Sequence, residues 1–81
     1  MRGRLEIIAD ILSAAKEPST KTSIVYSANL NFEQAQRYLD KCKDEGLIDT
    51  YEASAKKYET TEKGREYLSA YGELKEKIEN E

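Results

Sequence analysis

The sequence predicts an α+β domain, mostly helical, with a β-hairpin set between two helices in its C-terminal half. Three observations predict it. From Tyr38 to Gly64 the chain reads Y-L-D-K-C-K-D-E-G-L-I-D-T-Y-E-A-S-A-K-K-Y-E-T-T-E-K-G, in which helical periodicity stops at Gly46 and resumes at Thr61. The interval holds two short β-prone runs. Upstream lie three amphipathic segments, separated by Pro18 and by Asn29. Three helices, a hairpin wing and a long C-terminal helix make a winged helix-turn-helix.

The first helix is expected from about Gly3 to Lys16. Ile8, Ile11, Leu12 and Ala15 repeat at i, i+3, i+4 and i+7, with Leu5 one turn earlier on the same stripe. Pro18, the only proline, ends it. Ser19 or Thr20 caps a short second helix through about Ser27, with Ile24, Val25 and Ala28 as its apolar residues. Asn29 tolerates the left-handed backbone of a tight turn.

The third helix opens on a strong local signal. Asn31 is a good N-cap, Gln34 follows three residues later as in a capping box, and Leu30 and Ala35 are spaced as a hydrophobic staple. Ala35, Leu39 and Cys42 share one face, with Tyr38 beside them and Phe32 at the head of the stripe. Gly46 stops the helix. Strands are expected over Leu47 to Glu52 and Lys57 to Thr60, joined by Ala53-Ser54-Ala55-Lys56. Tyr51 and Tyr58 are expected to pair across them. Two strands alone are marginal in water, so they must lean on the helices. Thr61 caps the fourth helix, where Gly64 costs up to about 1 kcal/mol relative to Ala. Close packing against the hairpin would offset that cost.

Composition excludes several function classes. The chain has no histidine, no Gly-rich phosphate loop and no cluster with metal-ligand spacing, so nothing in it points to an enzyme. Cys42 is the only cysteine; it reads as a small core side chain in a reducing, cytoplasmic protein. No apolar run has membrane-spanning length. The net charge is -3, yet it is unevenly placed. Residues 1–65 hold 11 basic and 11 acidic side chains, and residues 66–81 hold 2 and 5. An acidic C-terminal part is thus separable from a neutral domain over 1–65.

The neutral domain carries the sharper candidates. With Ala35, Leu39 and Cys42 inward, helical geometry turns Glu33, Gln34, Gln36, Arg37, Asp40 and Lys41 outward. Asn, Gln and Arg are the side chains that pair bidentately with adenine or guanine edges. The expected DNA-binding set is Asn29, Asn31, Gln34, Arg37 and Lys41 on the turn and third helix, with Lys21, Lys56 and Lys57 on phosphate. Nothing in the sequence places Arg2 or Arg4 at DNA. Neutral charge over 1–65 sustains a second reading, a protein–protein interaction module on the same scaffold without DNA binding.

The fourth helix supplies a different surface. Tyr67, Tyr71, Leu74 and Ile78 are spaced 4, 3 and 4 along a heptad-like seam. Leu74 and Ile78 lie far out for a small core to cover, so residues 66–81 are expected to pair with a second copy in a two-fold dimer.

Four segments carry a family resemblance: I-x-Y-x-A-N-L-N at Ile24–Asn31, Y-L-D at Tyr38–Asp40, G-L-I at Gly46–Ile48 and T-E-K-G at Thr61–Gly64. The chain resembles the small archaeal winged-helix DNA-binding proteins, in particular the dimeric chromatin-associated ten-a type of Sulfolobus. G-L-I and T-E-K-G are shared widely among winged-helix regulators, whereas A-N-L-N points to the archaeal group. The resemblance implies double-stranded DNA as partner, a nucleoid-associated location, a homodimer through an antiparallel coiled coil of C-terminal helices, no cofactor and no enzyme activity. Carried over by position, it implies that Asn31, Gln34 and Arg37 face the major groove and that Lys56 and Lys57 sit on the wing.

Overall fold

The computed structural model describes residues 2–79; Met1 and the last two positions of the expected 66–81 pairing segment lie outside the described residues. The order is α1 (Arg4–Ala14), α2 (Lys21–Ala28), α3 (Phe32–Asp44), β1 (Ile48–Glu52), β2 (Lys56–Thr60) and α4 (Glu62–Glu79). This is the winged helix-turn-helix the periodicity predicts.

One core joins the helices to the hairpin. Ile7, Ile8, Ile11 and Leu12 of α1, Ile24 and Val25 of α2, Ala35, Leu39 and Cys42 of α3, and Ile48 and Tyr58 of the strands are all buried in it. Each buried Ile or Leu contributes on the order of 1.5–3 kcal/mol. Leu5 departs from the expected α1 stripe: it is 58% exposed, because the core ends at Ile7 and Ile8 one turn later.

The caps form largely as read. Thr20 Oγ1 accepts from Ser23 N at 3.2 Å, and Asn31 Oδ1 accepts from Gln34 N at 2.7 Å. Asn29 has φ 55°, and Gly46, with φ 75°, ends α3 while Leu47 N donates to Cys42 O at 2.8 Å. Ser19 takes a role other than capping. Its N–H and C=O exchange hydrogen bonds with Tyr58 at 2.9 and 2.8 Å, an isolated antiparallel bridge to β2.

The hairpin leans on α1 as two isolated strands must. Thr60 is buried; its hydroxyl donates to Leu12 O and its N–H to Ala15 O, both at 2.8 Å. The register pairs Thr50 with Tyr58 and Tyr51 with Lys57, so the two tyrosines are not cross-strand partners. They occupy opposite faces: Tyr58 is buried and Tyr51 exposed.

Thr61 closes the hairpin and opens α4. Its hydroxyl donates to Gly46 O at 2.7 Å and accepts from Gly64 N at 3.1 Å. Gly64 packs where a Cβ would strike Leu47 O and stand 2.5 Å from Thr60 Cγ2, so the close approach inferred from sequence is real. Beyond it Tyr67 and Leu68 touch the core, while Leu74 and Ile78 are 58% and 63% exposed on a helix that runs past the domain.

Candidate nucleic-acid interface

Asn29 and Asn31 set how α3 is presented. The left-handed Asn29 reverses the chain after α2, and Leu30 N donates back to Val25 O at 3.0 Å. Leu30 is then buried and Asn31 caps the next helix. The first turn of α3 is left open, with Asn31, Phe32 and Glu33 exposed. Phe32 is 52% exposed, contrary to its expected place at the head of the buried stripe; that stripe begins at Ala35, a turn later.

The outer face of α3 carries Glu33, Arg37, Asp40, Lys41 and Asp44, all exposed. Their charges alternate, and several are paired. Arg37 lies 3.7 Å from Glu33. Gln36 bridges two elements: its Oε1 accepts from Lys21 Nζ of α2 at 2.6 Å and its Nε2 donates to Asp40 Oδ1 at 2.9 Å. Lys21 therefore sits at the α2–α3 junction, held toward the outer face. Gln34 is half-buried, and Asn31 has its carbonyl oxygen engaged in the cap, which leaves its amide N–H groups for a ligand.

The two hairpin lysines stand at the first positions of β2 rather than in the connecting tip, which is Ala53-Ser54-Ala55. Being adjacent in a strand, they point to opposite faces. Lys56 Nζ lies 5.6 Å from the Tyr58 ring centroid, a cation–π contact that steadies it. Lys57 is half-buried opposite Tyr51.

Two arginines without a sequence-derived place acquire one. Arg2 has a structural role. Its guanidinium donates to Ala28 O at 2.6 Å, to Asn29 O at 2.7 Å and to Asp10 Oδ2 at 2.6 Å, closing the C-terminus of α2 onto α1. Arg4 joins Arg37, Tyr38, Asp40 and Lys41 around a groove of about 510 Å³, where three cations surround one carboxylate. Neither role is visible from local sequence, because the partners come from another helix.

Cys42 takes no part in this surface. It is fully buried, and burial pushes its thiol up to about 11, with Glu45 adding to the shift and Lys41 opposing it. Burial also raises the Tyr67 phenol, reinforced by Cys42 and Tyr71; its hydroxyl donates to Leu5 O at 3.3 Å.

The winged helix-turn-helix family model matches residues 1–79. The chain belongs to that family. It is similar to the DNA-binding protein Sso10a-2 of Sulfolobus solfataricus, with 35% identity, a TM-score of 0.89, and coverage of 98% of this chain and 84% of that one. An uncharacterized protein of Methanocaldococcus jannaschii is 36% identical over 74 residues, 90% of this chain and 73% of its relative. MepR, a transcription regulator of a Staphylococcus aureus multidrug efflux pump, shares the fold: 15% identity, TM-score 0.76, 95% of this chain and 60% of that one. The small archaeal resemblance read from A-N-L-N and its companion segments thus holds. No described helix is long and apolar enough to cross a membrane.

Proposed function

We propose that this chain binds double-stranded DNA as a homodimeric winged-helix regulator or chromatin-associated protein. The observation that carries the reading is the open first turn and outer face of α3, flanked by the hairpin, in a chain similar over 98% of its length to a DNA-binding protein. α3 enters the major groove, with Asn29, Asn31, Gln34, Arg37 and Lys41 directed at it. Lys21 and the wing lysines Lys56 and Lys57 meet phosphate. Residues 1–65 form the DNA-binding part. The remainder of α4, with Tyr67, Tyr71, Leu74 and Ile78, pairs two copies. Two copies of α3 reach successive major grooves when they lie about 34 Å apart, one helical turn of DNA. A DNA partner and a single buried thiol together fit a cytoplasmic, nucleoid-associated location.

Titration into labelled duplex at two salt concentrations tests the reading. Phosphate contacts release counterions, so affinity should fall steeply between about 50 and 200 mM salt. Absence of binding at 50 mM salt, up to about 100 micromolar protein, would overturn it.

A further inference from the structure

Phe32 is the first residue of α3 and is 52% exposed, while Ala35, Leu39 and Cys42 further along the same helix are buried. The backbone that carries it is held in place. The cap from Asn31 Oδ1 to Gln34 N, at 2.7 Å, holds the turn from which it projects. Side chains lean toward a helix's N-terminus, and Phe32 is not among the residues packed in or against the core. One turn along the same flank is Gln36, which carries the ammonium of Lys21. Asn31 and Glu33, its chain neighbours, are exposed and polar. The ring is thus a single apolar group among donors and acceptors, at the end of a recognition helix that meets base edges first.

Base edges in the major groove offer one apolar feature, the C5-methyl of thymine. We propose that Phe32 packs against thymine methyl groups and makes the first turn of α3 selective for thymine. The proposal rests on the DNA-binding reading above and adds a residue and a base preference to it. Packing on a methyl removes both apolar surfaces from water, an effect of about fourfold in affinity for each methyl covered.

The test uses the full chain and two duplexes of alternating A·T pairs, about two helical turns long, at about 50 mM salt. One contains thymine; in the other every thymine is replaced by uracil, which deletes the methyl and keeps every hydrogen-bonding group. Fluorescence anisotropy should show the thymine duplex bound about fourfold or more tightly. Phe32→Ala should bring the ratio to about one, and Phe32→Leu should retain part of it. Replacing cytosine by 5-methylcytosine in an alternating G·C duplex should strengthen binding by the wild-type chain and leave Phe32→Ala unaffected. Phe32 is exposed, so its variants should keep the helical circular dichroism of the parent. Binding of both A·T duplexes with equal affinity by the wild-type chain overturns the proposal alone. So does an unchanged thymine preference in Phe32→Ala. Failure to bind any duplex overturns the DNA-binding reading and this proposal with it.

Discussion

Glu33 and Arg37 stand one helical turn apart on the exposed face of α3, with 3.7 Å between carboxylate and guanidinium. Such an exposed pair contributes well under 1 kcal/mol to stability. Its larger effect is on any anion approaching α3, because Glu33 both neutralises Arg37 and repels phosphate. Glu33→Gln should therefore strengthen duplex binding about threefold to tenfold at 50 mM salt, with the gain shrinking as salt screens it. It should also steepen the logarithmic salt slope by about one. Unfolding by urea should change by less than about 0.5 kcal/mol. Unaltered affinity would show that Arg37 does not lie near phosphate or base.

Two glycines of α4 should respond to alanine with opposite signs. A Cβ at Gly72 meets nothing within 4 Å, so Gly72→Ala should stabilise by about 0.5–1 kcal/mol through helix propensity. At Gly64 the same atom strikes Leu47 O and Thr60 Cγ2, between the end of α3 and the hairpin. Gly64→Ala should destabilise by about 2–4 kcal/mol despite alanine's better propensity. Denaturant midpoints measure both, and a stabilised Gly64→Ala would contradict the packing described.

The contrast marks what was legible in the chain. Thr20, Asn31 and Thr61 were readable as caps because donor and acceptor lie within three residues. Gly46 was readable because a left-handed helix stop selects glycine. The places of Ser19 and Arg2 are set by distant partners that local sequence does not show. Ser19 bonds Tyr58, and Arg2 reaches Asn29. Phe32 and Leu5 follow helical spacing onto a stripe, but the core ends before it reaches them. In the hairpin, starting β2 one residue earlier moves Lys56 out of the tip and onto the face of Tyr58. The same limit applied to the site: the outer face of α3 follows from periodicity, but the Lys21–Gln36–Asp40 chain and the groove shared with Arg4 join separate helices.

Arg2 clamps α2 to α1 through a forked guanidinium. Arg2→Ala leaves Ala28 O and Asn29 O without this donor and Asp10 without its ion pair, a loss of about 1–2 kcal/mol. Arg2→Lys should rescue little of it, because one ammonium cannot reproduce the planar fork. Full rescue by lysine, measured by thermal unfolding, would reduce the role of Arg2 to its charge.

Cys42 should be chemically silent while the chain is folded. Its thiol is pushed from 9.0 to about 11 by burial, so at pH 8 its thiolate fraction is about a hundredfold below that of an ordinary cysteine. Modification by a disulfide reagent should be slower by at least that factor and should match the rate of unfolding at high reagent. The sign of the pH effect follows. The folded state holds the proton more tightly, so this contribution is complete below pH 9 and is lost as pH rises toward 11. Rapid native-state labelling at pH 8 would contradict the burial.

The exposed seam of α4 gives the last prediction. Leu74 and Ile78 are one turn apart and each more than half exposed, on a helix whose first half alone is anchored to the domain. Pairing with a second copy would bury both, and Tyr71 with them, along a heptad-spaced edge. Leu74→Asp with Ile78→Asp places two carboxylates on that edge and none near the core. Sedimentation equilibrium at tens of micromolar should give twice the monomer mass for the wild-type chain and the monomer mass for the double variant. The variant should keep the domain's helical content, since neither side chain belongs to the core. Duplex affinity should fall with the loss of the second site, by a factor that grows when two sites lie one helical turn apart. A wild-type monomer would overturn the pairing while leaving the α3 surface as the DNA-binding element.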